Sequence, residues 1–363
     1  MFYLAIISFI LIIYQFITVV INFIFHQNIK NEDLLDNPEI SILIPVRNEE
    51  KNISDLLENL KNLKLQNLEI IIYDDLSTDN TCQIIEKYIN QNTRIKLIKG
   101  KELPEGWLGK NYACYNLAIN AHGKYFLFID ADVRLYDDIV SSVVSYSKKH
   151  NLGLLSIFPI QILETFGEKI SVPIMNYILV TLLPLIFVRK SPFSAHSAAN
   201  GQFMLFDSDI YKWINPHEKF KYSQVEDINI ARYFKKLNIK IACITGDKRV
   251  KCRMYTSYKE ALNGFAKNIF MFFGNKPTLA FLFWLFVTFG FVPVMFFNNS
   301  ILIIYFLLLI VIQILYSILT KQNPFLNLLL FPLQLIFMIH VMFYSILRKN
   351  KKDYQWKERI IRY

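Results

Sequence analysis

The chain has 363 residues, 53% of them hydrophobic and 19% charged, with a formal net charge of +10. That balance is too apolar for an ordinary soluble enzyme and too polar for a protein built only of membrane spans. Apolar segments and a water-facing domain should therefore be separable along the chain.

The apolar residues concentrate in four stretches, Phe2 to Phe25, Thr278 to Phe297, Ile301 to Leu319 and Phe325 to Leu347. Each is long enough for a hydrocarbon core of about 30 Å. The first lacks the basic start and small-residue cleavage site of a signal peptide, so residues 1–26 read as an uncleaved anchor. Cys82, Cys114, Cys243 and Cys252 show no C-x-x-C spacing, which points to reduced core thiols rather than a zinc site or a disulfide framework.

Between the apolar stretches, short apolar runs alternate with helical patterns. In order they are "ISILIP", a helix from about Asn52, "LEIIIYD", a helix from Thr78, "IKLI", a helix from Gly109, and "KYFLFID". Such alternation predicts a parallel sheet covered by helices, with ligands bound beyond the carboxyl ends of its strands. Those ends carry "PVRNEE", "DDLSTDN" and "DAD". No G-x-G-x-x-G follows the first strand, and Pro104 and Asn111 break any P-loop around Gly109 and Lys110.

Residues 161–188 are apolar but hold two prolines; an interfacial helix and a buried core helix fit them equally. Residues 251–276 include "YKEALNGFAKNIFMFFGNK", a basic and phenylalanine-rich amphipathic pattern expected at a membrane surface. Residues 277–347 form the membrane region and 348–363 a basic tail.

The lysines and arginines gather from Lys248 to Lys276 and from Arg348 to Arg362, beside the apolar stretches. This placement suits anionic headgroups and a cytoplasmic location, and no nucleic-acid partner is expected. Three full crossings after a cytoplasmic domain would leave the tail outside. One stretch should therefore not cross, and Phe325 to Leu347, with Pro332, Gln334 and His340, is the one expected to be re-entrant or interfacial.

Asp130 and Asp132 stand at i and i+2, so on an extended strand end both would point to one face. Paired carboxylates there suit magnesium or manganese completed by phosphate oxygens. Asp74 and Asp75 end the second strand, where a carboxylate can accept from a base or a ribose hydroxyl; Ser77 or Thr78 is expected to cap the next helix, with Asp79 in its first turn. Glu226 and Asp227 open a predicted helix and offer a general base.

The succession "SILIPVRNEE", "YDDLSTDNT", "GWLGKNYACYNLA", "FIDADV", "ANGQFMLFDSDIYKWI", "VEDINIA" and "CRMYTSYKEALNGFAKN" resembles membrane-bound family-2 glycosyltransferases. The resemblance is strongest to the branch holding diaponeurosporenoate and hopanoid-associated glycosyltransferases, and it extends to "YQWKER", where Glu358 replaces the glycine of a W-K-G-R tail. It implies an α/β catalytic domain of the GT-A fold over residues 38–250, flanked by N-terminal and C-terminal transmembrane helices. Implied too are a UDP-sugar donor and a membrane lipid acceptor such as a carotenoid or hopanoid.

By that resemblance Asp75, and with it Asp74, contacts the nucleotide, and Pro45, Arg47 and Glu49 border it. Lys110 reaches the donor, Asp132 the metal-bound diphosphate and Asp130 the ribose, sugar or metal. Asp227 is the implied base with Glu226 beside it, while Arg253, Tyr255 and Trp356 lie in substrate-binding motifs. Met254 and Tyr255 follow Arg253 where processive synthases carry tryptophan, which weakens a polysaccharide-synthase alternative. A non-catalytic scaffold with the same fold is the other alternative. It gives no reason for carboxylates at successive strand ends.

Overall fold

In the computed structural model, residues 1–30, 39–63, 65, 67–90, 92–297, 299–351, 354–356 and 359–361 are described, the side chains only to Arg348. In chain order the elements are α1 (Phe2–Ile24), β1 (Ile40–Val46), α2 (Ile53–Lys61), β2 (Leu68–Asp74), α3 (Thr81–Ile89), β3 (Ile95–Lys99), α4 (Gly109–Ile119), β4 (Tyr125–Ile129), β5 (Val133–Leu135), α5 (Ile139–His150), β6 (Leu154–Phe158), β7 (Ile160–Gln161), α6 (Phe166–Ser171), α7 (Pro173–Leu182), α8 (Leu185–Lys190), β8 (Phe203–Asp207), α9 (Ser208–Ile214), α10 (Pro216–Lys219), α11 (Glu226–Lys236), β9 (Ile241–Thr245) and β10 (Val250–Cys252). There follow α12 (Tyr258–Phe265), a 3-10 turn (Ile269–Phe273), α13 (Pro277–Phe289), α14 (Phe291–Met295), α15 (Asn299–Leu319), α16 (Pro324–Lys351), β11 (Tyr354–Trp356) and β12 (Arg359–Ile361). The chain forms two compact units, one of Gln27–Ile160 with Ile186–Cys252, the other of Met1–His26, Gln161–Leu185 and Arg253–Tyr363. Residues 161–185, inside the segment 38–250, thus fold with the apolar helices.

The first unit is a seven-stranded sheet in the order β3-β2-β1-β4-β8-β6-β9. β1 and β2 are near-continuous runs of Ile and Leu because both sheet faces are covered, and they pair in parallel with Ile42 beside Ile70 and Val46 beside Asp74. α2 buries Ile53, Leu56, Leu57 and Leu60, one stripe at helical spacing. The sheet is not wholly parallel, as alternation predicted. β8 runs antiparallel to both β4 and β6, setting Phe203 opposite Ile129. Its direction brings residues 200–202 to the edge where β4 ends.

Two local expectations also change. α3 starts at Thr81, and neither Ser77 nor Thr78 caps it; the Ser77 hydroxyl accepts from the Asn48 N–H, and the Thr78 N–H donates to Asn48 Oδ1. Both residues tie the loop after β2 to the loop after β1. Asp130 and Asp132 lie beyond the end of β4, in a turn closed by Val133 N–H on the Asp130 carbonyl, so strand alternation does not set their directions.

In the apolar unit, α1, α15 and α16 are long and apolar enough to cross a membrane. The stretch Thr278 to Phe297, expected as one span, breaks at Gly290 into α13 and α14. Pro293 explains this, since it lacks an N–H and its ring clashes with the carbonyl one turn back. α7 is buried along residues 173–181, so here the buried reading of this segment is the one realised. Gln15 of α1 donates to Tyr177 Oη at 3.0 Å and Thr181 Oγ1 at 3.2 Å, and Asn22 donates to the carbonyls of Val180 and Leu183. In an apolar surrounding each such bond contributes about 0.6 kcal/mol.

Helix directions follow from residue pairs. Phe2 meets Phe297 and Phe9 meets Tyr305, while Leu11, Ile12 and Gln15 share a cleft with Tyr305, Leu309 and Ile312, so α1 and α15 run the same way. The same cleft takes Phe286 and Val287, and Ser8 stands beside Gly290, so α13 and α14 run opposite to α1. α16 begins with Asn327 donating to Ser317 Oγ near the end of α15. Toward its end, Tyr344 and Ser345 donate to Asn263 and the Ala266 carbonyl, just before α13.

Candidate active site

At the carboxyl edge of the sheet, Arg47 leaves β1 and is buried. Its guanidinium donates to the Asp75 carbonyl and, at 2.9 Å, to that of Leu76. Leu76 has φ +55°, a left-handed backbone that a leucine adopts only when held there. Asp75, 1% exposed, donates its N–H to the Val46 carbonyl, and Asp74 Oδ2 accepts from Ser77 N–H while Oδ1 is buried without a partner. Gly100 closes this corner, because a Cβ there would stand 2.5 Å from the Asp74 carbonyl oxygen. Pro45 lies within β1 beside Tyr73. Glu49 holds the start of α2, its carboxylate accepting from Asn52 Nδ2 and its carbonyl from the N–H groups of Asn52 and Ile53.

Lys110 stands in the first turn of α4. Its ammonium lies 2.8 Å from Asp130 Oδ1, 3.1 Å from Oδ2 and 3.8 Å from Glu226 Oε1. Burial alone would depress this amine, but the Asp130 and Glu226 carboxylates override it and hold it above its ordinary value. Asn111, next along the helix, donates to the carbonyls of Phe220, Lys221 and Ser223, fixing the strap that leads into α11.

α11 opens with Glu226 and Asp227. Burial, with Asp227 close by, pushes Glu226 up to about 7 against the pull of Lys110. Asp227 is also raised by burial, although Oδ2 accepts from Gly201 N–H at 3.0 Å and Oδ1 from Ile228 N–H at 2.7 Å. Asp132 is pushed up to about 7 by burial and by the Asp130 carboxylate. Gln202 Nε2 reaches its Oδ2 at 3.5 Å, while Oδ1 is buried with no partner.

The structure therefore brings Asp74, Asp75, Lys110, Asp130, Asp132, Glu226 and Asp227 to one edge of one unit, with Arg47 behind the loop that follows β2. Arg253, Tyr255 and Trp356 belong to the other unit. Arg253 pairs there with Glu164 at 2.7 Å and with buried Glu168 at 2.9 Å, and the Tyr255 ring packs on Phe265. Trp356 lies in β11, and Glu358 falls outside the described residues. Sequence reasoning assigned nothing to Asn200, Gly201 and Gln202; their signal was the "ANGQ" just before an apolar run.

Among the described residues, no group of three or more His, Cys, Asp or Glu side chains forms a metal cage. The orphaned oxygen of Asp132 fits a hard cation held by one or two carboxylates and completed by phosphate oxygens. Asp130 has both oxygens on Lys110, which leaves Asp132 as the better-placed ligand.

Residues 41–214 match the family described as Glycosyl transferase family 2. The chain is 26% identical over 233 residues to the 4,4'-diaponeurosporenoate glycosyltransferase of Staphylococcus haemolyticus, covering 63% of this chain and 60% of that relative. It is 28% identical over 269 residues to the same-named protein of Staphylococcus aureus strain N315, covering 72% and 69%. The mannosyltransferase PcManGT from Pyrobaculum calidifontis, solved with GDP-Man and Mn2+, shares the fold at a TM-score of 0.56, with 14% identity over 95% of this chain and 99% of its own.

The sheet, with acidic residues at its strand ends, has the GT-A-like fold of solved glycosyltransferases. Residues 41–214 thus match a glycosyltransferase family 2 domain, and the chain is similar to the diaponeurosporenoate glycosyltransferases.

Proposed function

We propose that this chain is an inverting transferase that moves a hexose from a UDP-sugar to a hydroxyl of a membrane lipid, such as a carotenoid or hopanoid, at the cytoplasmic face. The observation that carries the reading is the Lys110, Asp130, Glu226 and Asp227 cluster beside an Asp132 oxygen with no partner. Asp75, and less directly Asp74, receives the uridine, a choice that rests on the motif resemblance. Asp132, with Asp130 near it, would hold magnesium or manganese, which when bound neutralises charge growing on the departing diphosphate. Asp227, fixed by two backbone N–H groups, takes the acceptor proton as the lipid oxygen attacks the anomeric carbon from the opposite side. A lipid acceptor that stays in the membrane keeps its chain out of water, at about 0.8 kcal/mol per methylene.

The test is lipid mass spectrometry of cells expressing the wild type or Asp132→Ala. A hexosylated lipid found only with wild type is expected; the same lipid in both strains would overturn the reading.

The helix directions support a three-crossing topology. α1 runs inward and α15 runs parallel to it, so α13 and α14, about 28 Å long at 1.5 Å per residue, cross outward between them. Both ends of α16 then lie toward the cytoplasmic end of α1, so this helix lies along the membrane despite its length. A cysteine placed at Asn299 should react with an impermeant maleimide from outside, whereas one at Gln322 and a C-terminal tag should be reached only after permeabilisation. A tag accessible on intact cells would mean that α16 crosses.

A further inference from the structure

The reversed strand β8 supplies this inference. Because it runs antiparallel to β4, the residues entering β8 stand opposite those leaving β4. We propose that Asn200, Gly201 and Gln202 form a positioning segment in which Gln202, together with Cys252, orients Asp132 toward a divalent cation while Gly201 orients Asp227. This deepens the reading above and rests on Asp132 as the cation ligand.

Each residue of the segment reaches a different partner. The Gln202 carbonyl accepts from the Asp130 N–H at 3.3 Å, and its Nε2 lies 2.9 Å from Cys252 Sγ and 3.5 Å from Asp132 Oδ2. Burial and the neighbouring Asp132 carboxylate raise the Cys252 thiol well above its ordinary value, in keeping with the two groups standing close together. Gln202 is 4% exposed and Cys252 fully buried, so bulk solvent competes little for either side chain. Asn200 keeps the segment in shape, its Oδ1 accepting from Gln202 N–H at 3.0 Å and its Nδ2 donating to Gln202 Oε1 at 3.2 Å; its own N–H is fixed to Ser156 Oγ at 2.8 Å. The Gly201 N–H holds Asp227, and a Cβ at Gly201 would lie 3.2 Å from Lys110 Nζ and 3.4 Å from Glu226 Oε1.

One side of this short segment thus serves the cation carboxylate and the other the base. A merely structural loop would couple both functions to stability. A positioning segment separates them, because losing a group that orients a metal ligand lowers metal affinity itself, typically by 10- to 100-fold.

The full chain in detergent, titrated with Mn2+ in the presence of UDP and followed by electron paramagnetic resonance, tests this. Gln202→Leu should weaken Mn2+ binding at least about tenfold. Cys252→Ala should weaken it in the same direction and Cys252→Ser, which keeps a donor, should restore it. Gly201→Pro, which removes the N–H that holds Asp227, should bind Mn2+ as wild type does but lose turnover at saturating donor, and unchanged turnover would overturn the Gly201 role. Wild type that binds no Mn2+ with UDP would remove the metal reading itself. Wild type that binds, with Gln202→Leu and Cys252→Ala binding equally well, would overturn the positioning role alone. If Gln202→Leu does not fold, the Cys252 pair decides: equal affinity in Ala and Ser variants overturns the proposal.

Discussion

Asp227→Asn is expected to lose transfer by about 10²- to 10⁴-fold while binding the donor as wild type does. The carboxylate is held by Gly201 and Ile228 N–H groups, so its orientation does not depend on the substrate. Asparagine keeps the size and one acceptor oxygen but cannot take a proton. Burial raises the Asp227 carboxyl above its ordinary value, and a base works only when unprotonated, so wild-type turnover should climb with pH on its acidic limb. The variant should lose that limb. Donor binding by isothermal titration and turnover from pH 5 to 8, on the order of the range a raised carboxyl spans, make the check. An active variant with a flat profile would show instead that the acceptor is a carboxylate, already ionised and needing no base.

The parts of this site that were legible in the sequence are those whose physics is local. A strand buried on both faces must be apolar throughout, so "ISILIP", "LEIIIYD" and "KYFLFID" announced β1, β2 and β4, and the aspartates at their ends stood out against them. The direction of β8 was not legible, because residues 203–207 read as the same apolar run whichever way they enter the sheet. With that direction went the role of residues 200–202. Ser77 and Thr78 carry the composition of a cap, yet the neighbouring loop offered Asn48 as a partner, and cap residues take whichever backbone or amide group lies nearest. Thr278 to Phe297 read as one unbroken helix on hydropathy alone, although Pro293 marked where that helix breaks. Glu226 and Asp227 could be placed in a first helical turn, but that one lysine more than a hundred positions earlier would face Glu226 depends on the whole sheet.

That lysine carries the largest expected effect on stability. Lys110→Met should lower the stability of the protein by about 2 kcal/mol, because it leaves Asp130, Glu226 and Asp227 facing one another without a cation. The full penalty of an unpaired buried charge is larger, but the Lys110 and Asp130 side chains are 26% and 28% exposed, and solvent screens part of it. Transfer should be lost as well. The double variant Lys110→Met with Asp130→Asn removes one of the stranded charges, so it should recover much of the stability and none of the activity. The pH dependence has a definite sign. Glu226 is already pushed up to about 7, above its unfolded value, so the folded state gains stability as pH falls from about 7 toward the ordinary carboxylate range. Without Lys110 only a backbone hydrogen bond opposes burial and the neighbouring carboxylates, the folded value rises further, and that gain grows. Thermal unfolding in chelator at pH 8 and pH 6 should therefore show the gap between wild type and Lys110→Met narrowing with acidity. A gap that stayed constant would mean that Glu226 is not part of the charge cluster the lysine holds together.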